Sequence, residues 1–413
     1  MKKWQLFLIV AVLTLAVIGA SVFITYDYAS RKFGRLLYAP GEDSVKPLSG
    51  TTAVEAKTTE IRGYIDNYFI DPYDMEKLAD GAAKGMVAAT GDRWSSYLSS
   101  EDYASYRETL ENAYVGIGIT IMEVEGLEGF RIEKVTGGSP AEESGIRAGD
   151  LLVAAAGENA LALGMDETKN RVRGEEGTSV HLTLSRDGQK YEVDVERRTI
   201  ETEVAVLRMP EEDIACIQIK NFDARCAAET ISLIEQARKQ GAKGLVFDLR
   251  FNPGGLKDEL VKLLDYLLPE GTLFRSRDYS GKEETDSSNA KCLQMPMAVL
   301  INADSYSAAE FFAAAMQEYD WATVVGEQTC GKGNMQIPFV LSDGSCLNLS
   351  IAKYFTPNGV SLTDIGVKPD IPVAISDERY ADLYYERLDD AADEQLQAAI
   401  EAVRRKLLHG SDD

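Results

Sequence analysis

Hydrophobic and polar positions follow three kinds of pattern in succession along the chain. From about Glu60 to Ala113 the apolar residues recur with a helical period, whereas residues 114–198 contain short alternating runs that are typical of strands. After Arg198, buried-strand runs such as GLVFDL and MAVLI alternate with amphipathic stretches such as LKDELVKLLDYLL. This strand and helix alternation predicts an α/β layer with parallel strands.

Turn signals divide these patterns further. The strand pair SVHLTLSRDGQKYEVDVE carries Asp187-Gly188 where a hairpin turn is expected, and a second hairpin is predicted at IPFVLSDGSCLNLSIA. Acidic helical sequence from Asp377 to His409 closes the chain.

Residues 4–24 form an uncharged, mostly apolar run of 21 residues. As a helix at about 1.5 Å per residue, the run is roughly 31 Å long, enough to cross a bilayer. A cleaved signal peptide is the alternative, but the run is long for one and no clear cleavage site follows it. Lys and Arg lie at both of its ends, so charge does not decide its orientation, and we expect an extracytoplasmic body because long domains are translocated largely regardless of charge.

The patterns together predict a multidomain α+β and α/β protein with an N-terminal membrane helix. Residues rich in Pro, Gly, Ser and Thr separate that helix from the folded body, as a tether does. The predicted segments are a membrane anchor (1–25), a linker (26–57), a helical region (58–113), a β domain (114–198), an α/β core (199–376) and a helical tail (377–413).

Composition excludes several classes of function. The 413 residues carry a formal charge of −24, which argues against a nucleic-acid partner. Five cysteines without any C-x-x-C spacing make a zinc site or a dense disulfide framework improbable, and most are expected to be small buried hydrophobes. Only two histidines occur, His181 in the β domain and His409 near the end, so a Ser-His-Asp triad in the α/β core is not expected.

A serine nucleophile would then need another base, and a desolvated lysine can serve. Lys332, between two glycines and followed by apolar residues, is the candidate, although most lysines are simply solvated. In NADSYSAAEFFAAAMQ, residues 302–317, Ser305 and Ser307 stand at a predicted helix start, and N-capping alone explains such residues. The same geometry suits catalysis, because the free N–H groups of a helix N-terminus, that of Ala308 above all, can stabilise an oxyanion.

Several motifs in the same order resemble the C-terminal processing peptidases, which are serine proteases with a Ser-Lys dyad and an embedded PDZ domain. The motifs are DGAAKGMVAATGDRWSSYLSSEDY, GGSPAEESGIRAGD, FDLRFNPGG, NADSYSAAEFFAAAMQ, VVGEQTCGKGNMQ, LSDGSCLNLSIAKYFTPNG and GVKPDI, and the likeness extends from about residue 58 to 400. The resemblance implies that residues 114–198 are the PDZ domain and that residues 199–376 form a Ser-Lys peptidase core with a fold like that of ClpP and the crotonases.

The resemblance also implies residue roles. The nucleophile falls on Ser307 and not on Ser305, which with Asp304 keeps the role of starting the helix. The general base falls on Lys332, and a lysine-orienting glutamine falls on Gln336. The oxyanion donors fall on the backbone N–H groups of Ala308 and Gly255.

Three positions depart from the commonest family pattern without removing a reacting group. They are Ala309, Cys330 and the Asn-Met pair before Gln336. These changes affect what can be predicted about the shape and specificity of the pocket, and not about its activity.

PDZ domains capture a peptide tail as an added strand and hold its carboxylate on loop N–H groups. Gly116, Ile117 and Gly118 match that carboxylate loop, although an ordinary strand-entry turn would use the same glycines. The predicted helix near Asp166 to Arg173 would line the groove.

The sequence therefore predicts a membrane-tethered serine endopeptidase, active outside the cytoplasm, that recognises the C-terminal tails of protein substrates. No metal or cofactor is implied. The sequence leaves the oligomeric state open, with the helical region and the C-terminal helix as candidate contacts of a homo-oligomer. The rival hypotheses are a non-catalytic PDZ scaffold with a peptidase-like core, and acyl-group chemistry on a small molecule, which would leave the PDZ domain without a role.

Overall fold

The computed structural model of the protein describes residues 51–409. Of these, residues up to 78 belong to one unit and residues from 79 onward to a second. Helix α1 spans Thr51–Tyr68 and helix α2 spans Met75–Ala88. The first residues of α1 fall inside the range 26–57 predicted as a linker, so the last part of that range is helical. The predicted anchor, residues 4–24, lies outside the described residues, and within residues 51–409 no helix is long and apolar enough to cross a membrane.

A β domain follows helix α3 (Ser100–Glu111). A five-strand sheet in the order β3-β4-β5-β7-β8, with β6 added to β5, packs around buried residues such as Phe130, Ile132 and Leu182. A separate pair joins β2 to β9. The elements are β2 (Ala113–Gly116), β3 (Ile119–Met122), β4 (Phe130–Val135), α4 (Pro140–Glu143), β5 (Leu151–Ala155), β6 (Glu158–Asn159), α5 (Ala160–Leu163), α6 (Met165–Val172), β7 (Ser179–Arg186), β8 (Gln189–Glu196) and β9 (Arg198–Glu201).

The hairpin between β7 and β8 confirms the turn predicted from the sequence. Arg186 pairs with Gln189, and Asp187 and Gly188 both have positive φ, 51° and 78°. Two consecutive positive φ angles are those of a two-residue type I′ turn, which the Asp-Gly pair favours.

The α/β core is built on a six-strand sheet in the order β10-β11-β12-β15-β16-β19. Strands β11, β12, β15, β16 and β19 are parallel, as the βαβα pattern predicted, and β10 is antiparallel to β11. The elements are β10 (Ala205–Arg208), β11 (Ile214–Ile219), α7 (Cys226–Lys239), β12 (Gly244–Asp248), α8 (Lys257–Leu267), β15 (Met297–Ile301), α9 (Ala308–Glu318), β16 (Ala322–Gly326), β19 (Ile371–Pro372), α10 (Asp377–Tyr384), a 3-10 turn (Asp390–Ala392) and α11 (Glu394–His409).

A second sheet brings distant parts of the chain together. Its strands are β1 (Ser96–Leu98), β13 (Gly271–Asp278), β14 (Glu283–Ser288), β17 (Asn334–Val340) and β18 (Cys346–Phe355). The short strand β1 lies in the stretch predicted to be helical, and it pairs with β18 between Leu98 and Cys346. This pairing attaches the segment just before α3 to the hairpin β17–β18, the second hairpin predicted from the sequence.

Both faces of the parallel sheet are covered, which explains why β12 and β15 are buried at every position. Alternate residues such as Phe247 and Val299 pack on the side of α9, while Val246 and Leu300 pack against α11. The sheet therefore holds the loops at the ends of its strands in a fixed position.

A buried ion cluster connects β12 to α11. The Arg250 guanidinium binds the carboxylates of Asp248 and Asp393 at 2.6 and 2.8 Å and also donates to Gln395, and Arg250 is only 3% exposed. Removal of one side of such a buried ion cluster leaves the other charge uncompensated, which strongly destabilises the fold.

We predict that Arg250→Met destabilises the fold because it leaves Asp393 buried without its cation and Asp248 with only Arg208, 3.8 Å away. The free energy of unfolding, measured by urea titration, should fall by about 3–5 kcal/mol. Arg405→Met, which removes an exposed ion pair with Glu401, should leave the unfolding midpoint nearly unchanged. Equal midpoints for the two variants would contradict the role assigned to the cluster.

Candidate active site

Ser307 occupies the N-cap of α9, directly after the loop that leaves β15. Its backbone angles are φ 54° and ψ −113°, a conformation that residues other than glycine rarely adopt and that costs of order 1–3 kcal/mol. The turn places Ser307 at the helix start and in the wall of a cavity of about 420 Å³. Such a strained turn at a strand-to-helix junction is typical of positions where function requires the geometry.

Ser305 has a different environment. It is fully buried, its Oγ donates to the carbonyl of Leu249 at 2.8 Å, and it accepts from the N–H of Asn302 at 3.0 Å. The helix therefore starts from Ser307, and the capping role suggested for Ser305 from the sequence is wrong. Ser305 instead joins the loop to the end of β12, and Asp304 binds the hydroxyl of Tyr306 at 2.9 Å.

Lys332 lines the same cavity as Ser307. Its Nζ lies 5.0 Å from the centre of the Trp94 ring, and within residues 51–409 it forms no ion pair. Burial lowers the pKa of Lys332 from its ordinary value, although Glu310, Cys330 and Asp92 act in the opposite direction. Because burial outweighs the nearby negative charges, the lysine is biased toward the neutral amine that a general base requires.

Glu310 is a buried carboxylate that the sequence analysis did not single out. It accepts hydrogen bonds from the N–H of Ser307 at 2.8 Å, the N–H of Lys332 at 2.9 Å, and the N–H of Gly331 and the hydroxyl of Thr329, both at 2.6 Å. Glu310 is 0% exposed. One side chain thus fixes the backbone of both candidate reacting residues. A glutamate three residues after a serine at a helix start is a capping-box signal that could have indicated it.

Two backbone N–H groups near Ser307 are unused within the described part of the chain. Ala308 is the first residue of its helix, and Gly255 adjoins the Phe222 backbone without donating in that bridge. Between them, Gly254 packs so closely that a Cβ would lie 2.8 Å from the Ser307 Cβ and 2.9 Å from the Ala308 nitrogen. Only glycine fits there, and a Cβ on Gly255 would likewise lie 2.5 Å from the Phe222 carbonyl carbon, which explains the Gly-Gly sequence after Pro253.

Tyr354 lies beside the two candidate residues. It is buried, its hydroxyl donates to the carbonyl of Lys332 and interacts with Ser307, and burial raises its pKa. The tyrosine therefore remains a neutral hydrogen-bond donor in the site.

Gln336 also lines the cavity, and its amide nitrogen binds groups other than Lys332. The Nε2 donates to the Asn334 carbonyl and to the Ser350 hydroxyl, both at 2.9 Å. Ser350 in turn donates its N–H to Ser95 at 3.0 Å. The segment before β1 therefore supports Gln336 as well as supplying Trp94.

The residues predicted for the PDZ groove line a second cavity of about 300 Å³. Gly116, Ile117 and Gly118 form one side, and Lys169 and Arg173 near the end of α6 form the other. The backbone carbonyls of Ile117 and Gly118 accept hydrogen bonds from Ala141 and Thr136, and the Ile117 side chain is buried.

Neither a histidine nor a metal cluster accompanies Ser307 in the described residues. His181 lies on β7 of the β domain and binds Asp194 on the adjacent strand, and no group of His, Cys, Asp or Glu within residues 51–409 could hold a metal ion.

Comparison with known proteins agrees with this geometry. A model of peptidase family S41 matches residues 213–373, and a PDZ-domain model matches residues 131–186. The carboxy-terminal processing protease CtpA of Bacillus subtilis (strain 168) is 32% identical over 355 residues, which cover 84% of this chain and 75% of that protein. The chain belongs to peptidase family S41. It is a serine peptidase that contains a PDZ domain.

A second curated relative and one solved structure are also similar to this chain. The "Probable CtpA-like serine protease" of Staphylococcus aureus (strain COL) is 28% identical over 377 residues, which cover 90% of this S41 chain and 73% of that protein. The crystal structure of a "Putative S41 protease" from Bacteroides fragilis NCTC 9343 covers 89% of this chain and 100% of that one, with a TM-score of 0.50 and 18% identity. At that identity the structural likeness shows a shared fold alone.

We predict that Glu310→Gln lowers kcat by about 100-fold. The amide NH2 that replaces one carboxylate oxygen is itself a donor and would face backbone N–H donors. The segments that carry Ser307 and Lys332 would therefore shift relative to each other. Glu318→Gln is the matched control. Glu318 lies at the other end of α9 and accepts from Thr356 and Asn358, at 2.6 and 2.8 Å. Peptide hydrolysis and thermal unfolding of both variants test this, and equal kcat values would contradict it.

We predict that Trp94→Ala shifts the pH dependence of kcat/KM. Removal of the ring admits water to Nζ, so the lowered pKa of Lys332 should rise toward its ordinary value. The limb on which activity increases with pH should then move to higher pH, while Trp94→Phe should retain most of the original profile. An unshifted limb in Trp94→Ala would show that the ring does not desolvate the lysine.

Proposed function

We propose that Ser307 is the nucleophile and Lys332 the general base of a C-terminal processing endopeptidase. The neutral Lys332 amine takes the proton of the Ser307 hydroxyl while Oγ attacks the scissile carbonyl carbon. The tetrahedral oxyanion receives hydrogen bonds from the N–H groups of Ala308 and Gly255. The resulting Lys332 ammonium returns its proton to the leaving amine as the C–N bond breaks and the acyl-enzyme forms.

Deacylation repeats these steps with water as the nucleophile. Lys332 accepts a proton from the water, the ester carbonyl carbon is attacked, and the proton passes to Ser307 Oγ as the ester bond breaks. The reaction consumes one water molecule and needs no cofactor.

The observation that carries this assignment is the pairing of Ser307 and Lys332 in one cavity through Glu310. The lysine lacks a carboxylate partner within residues 51–409, and its pKa is lowered, as a base near neutral pH requires. Ser305 does not fit the role because its hydroxyl is buried and used in the fold. We assign to Gln336 the orientation of the lysine amine, with its amide oxygen as the atom that can accept from Nζ.

We further propose that the substrates are proteins recognised by their C-terminal tails. The cavity beside Gly116, Ile117 and Gly118 adjoins β3, an edge strand of its sheet, which gives an extended peptide a partner. The name of the Bacillus subtilis relative, a carboxy-terminal processing protease, supports the same substrate class.

The remaining features of the proposal come from the sequence patterns and from the family resemblance. The segment 4–24 anchors the protein as a single membrane span, a linker follows it, and the catalytic body lies outside the cytoplasm. The PDZ domain occupies about residues 114–198, and the peptidase core, about 199–376, has a fold of the ClpP and crotonase kind. Self-association would use the helical region and the C-terminal helix.

We predict that Ser307→Ala and Lys332→Ala each lower kcat for an unstructured protein substrate by at least about 1,000-fold without loss of the fold. Lys262→Ala, on a solvated face of α8, should keep wild-type activity. In the wild type, activity should rise with pH through the lowered pKa of Lys332, because only the neutral amine is a base. Retained activity in Ser307→Ala, or a profile that is flat from acid to alkaline pH, would contradict the assignment. Loss of activity in Ser305→Ala alone would show that Ser305 is the nucleophile.

A further inference from the structure

Asp223 is a buried carboxyl group in the wall of the catalytic cavity that the reaction described above does not use. It lies in the loop between β11 and α7 and is 3% exposed. Its Oδ1 has no hydrogen-bond partner within the described residues. A Cβ on Gly255 would lie 2.6 Å from that oxygen, so Oδ1 adjoins the glycine whose N–H is the proposed oxyanion donor.

The ionisable groups around Asp223 do not neutralise it. Tyr106 of α3 and Cys226 of α7 both have raised pKa values, burial being the main cause and the Asp223 charge a further one. Glu259 of α8 binds the N–H of Ala227 at 2.9 Å. These three neighbours are neutral or acidic, so none supplies a positive charge.

The nearby basic side chains have other partners. Arg225 binds Glu201 at 2.9 Å and Glu229 at 3.1 Å. Lys257 lines the same cavity, but its Nζ binds Asp286 at 2.8 Å. Asp223 is therefore a buried acid without a cation, and burial raises its pKa to about 7.

A buried carboxylate oxygen without a donor is unfavourable, and a ligand that supplies both a donor and a positive charge removes the penalty. The same wall contains apolar side chains, among them Leu110, Leu256 and Leu260, which suit the aliphatic stem of a long side chain. The formal charge of −24 also favours the approach of cationic peptide segments.

We propose that Asp223 forms a specificity subsite for a lysine or arginine side chain of the peptide substrate, close to the bond that is cleaved. The proposal rests on the proposed function, since it assigns a subsite of the same cavity. Asp223 would bind the substrate side chain and thereby raise kcat/KM, whereas Ser307 and Lys332 would remain the reacting groups.

The test uses the full-length enzyme and a parent peptide whose single cleavage site is located by mass spectrometry. Each position from three before to three after the cleaved bond is replaced in turn by lysine or by norleucine, which keeps the aliphatic chain and lacks the ammonium group. At pH 8, kcat/KM for lysine should exceed that for norleucine by at least about tenfold at one position. The ratio should fall as the pH decreases below about 7, because protonated Asp223 cannot bind an ammonium ion as an anion.

Asp223→Asn should reduce that ratio to within about twofold while the norleucine peptide is cleaved nearly as in the wild type. Asp258→Asn, an exposed acid in the first turn of α8, is the matched control and should keep the ratio. The pH dependence of the wild-type ratio needs no variant, so the proposal stays testable if Asp223→Asn fails to fold.

The outcomes separate the two proposals. If the parent peptide is cleaved equally by Ser307→Ala, the proposed function fails whatever the ratio. If cleavage depends on Ser307 but lysine and norleucine peptides react within about twofold at every position, the subsite is overturned. An equal loss on all peptides in Asp223→Asn overturns it as well, because the residue would then support the oxyanion loop and not the substrate side chain.

Discussion

The buried carboxylate of Glu310 is the interaction on which the catalytic arrangement depends. Ser307 and Lys332 lie 25 residues apart, on the start of a helix and on a loop after the next strand, and Glu310 accepts the backbone N–H of both. Because these hydrogen bonds are charge-assisted and shielded from water, they are stronger than neutral ones. The serine and the lysine are thus fixed relative to each other through their backbone, which leaves both side chains free to react.

The same carboxylate creates an electrostatic conflict that the rest of the site resolves. Its negative charge favours the ammonium form of Lys332, whereas a base must be neutral. Burial prevails. The Trp94 ring beside Nζ comes from a segment more than 200 residues earlier that pairs with the β17–β18 hairpin. The parallel sheet, buried on both faces, provides the rigid support that holds the strained Ser307 turn.

The sequence predicts the local parts of this protein well and the long-range ones poorly. The α/β alternation, the Asp187-Gly188 turn and the position of α9 follow from periodicity and turn chemistry, which are local properties. The motifs around Ser307 and Lys332 identified the family. Glu310, Trp94 and Asp223 were missed because their roles depend on burial and on contacts across the fold. Ser305 was predicted to cap the helix, but the helix begins two residues later, at Ser307. A boundary shift of that size is enough to change which serine is the cap.

The central claim is that Ser307 is activated by Lys332 within one cavity. The most direct measurement is covalent labelling with a fluorophosphonate serine probe, followed by peptide mass spectrometry of the labelled site, in the wild type and in Lys332→Ala. The account predicts a single phosphonylated residue, Ser307, in the wild type and little or no labelling once Lys332 is replaced. Labelling of another serine, or equal labelling of Ser307 without the lysine, would contradict it.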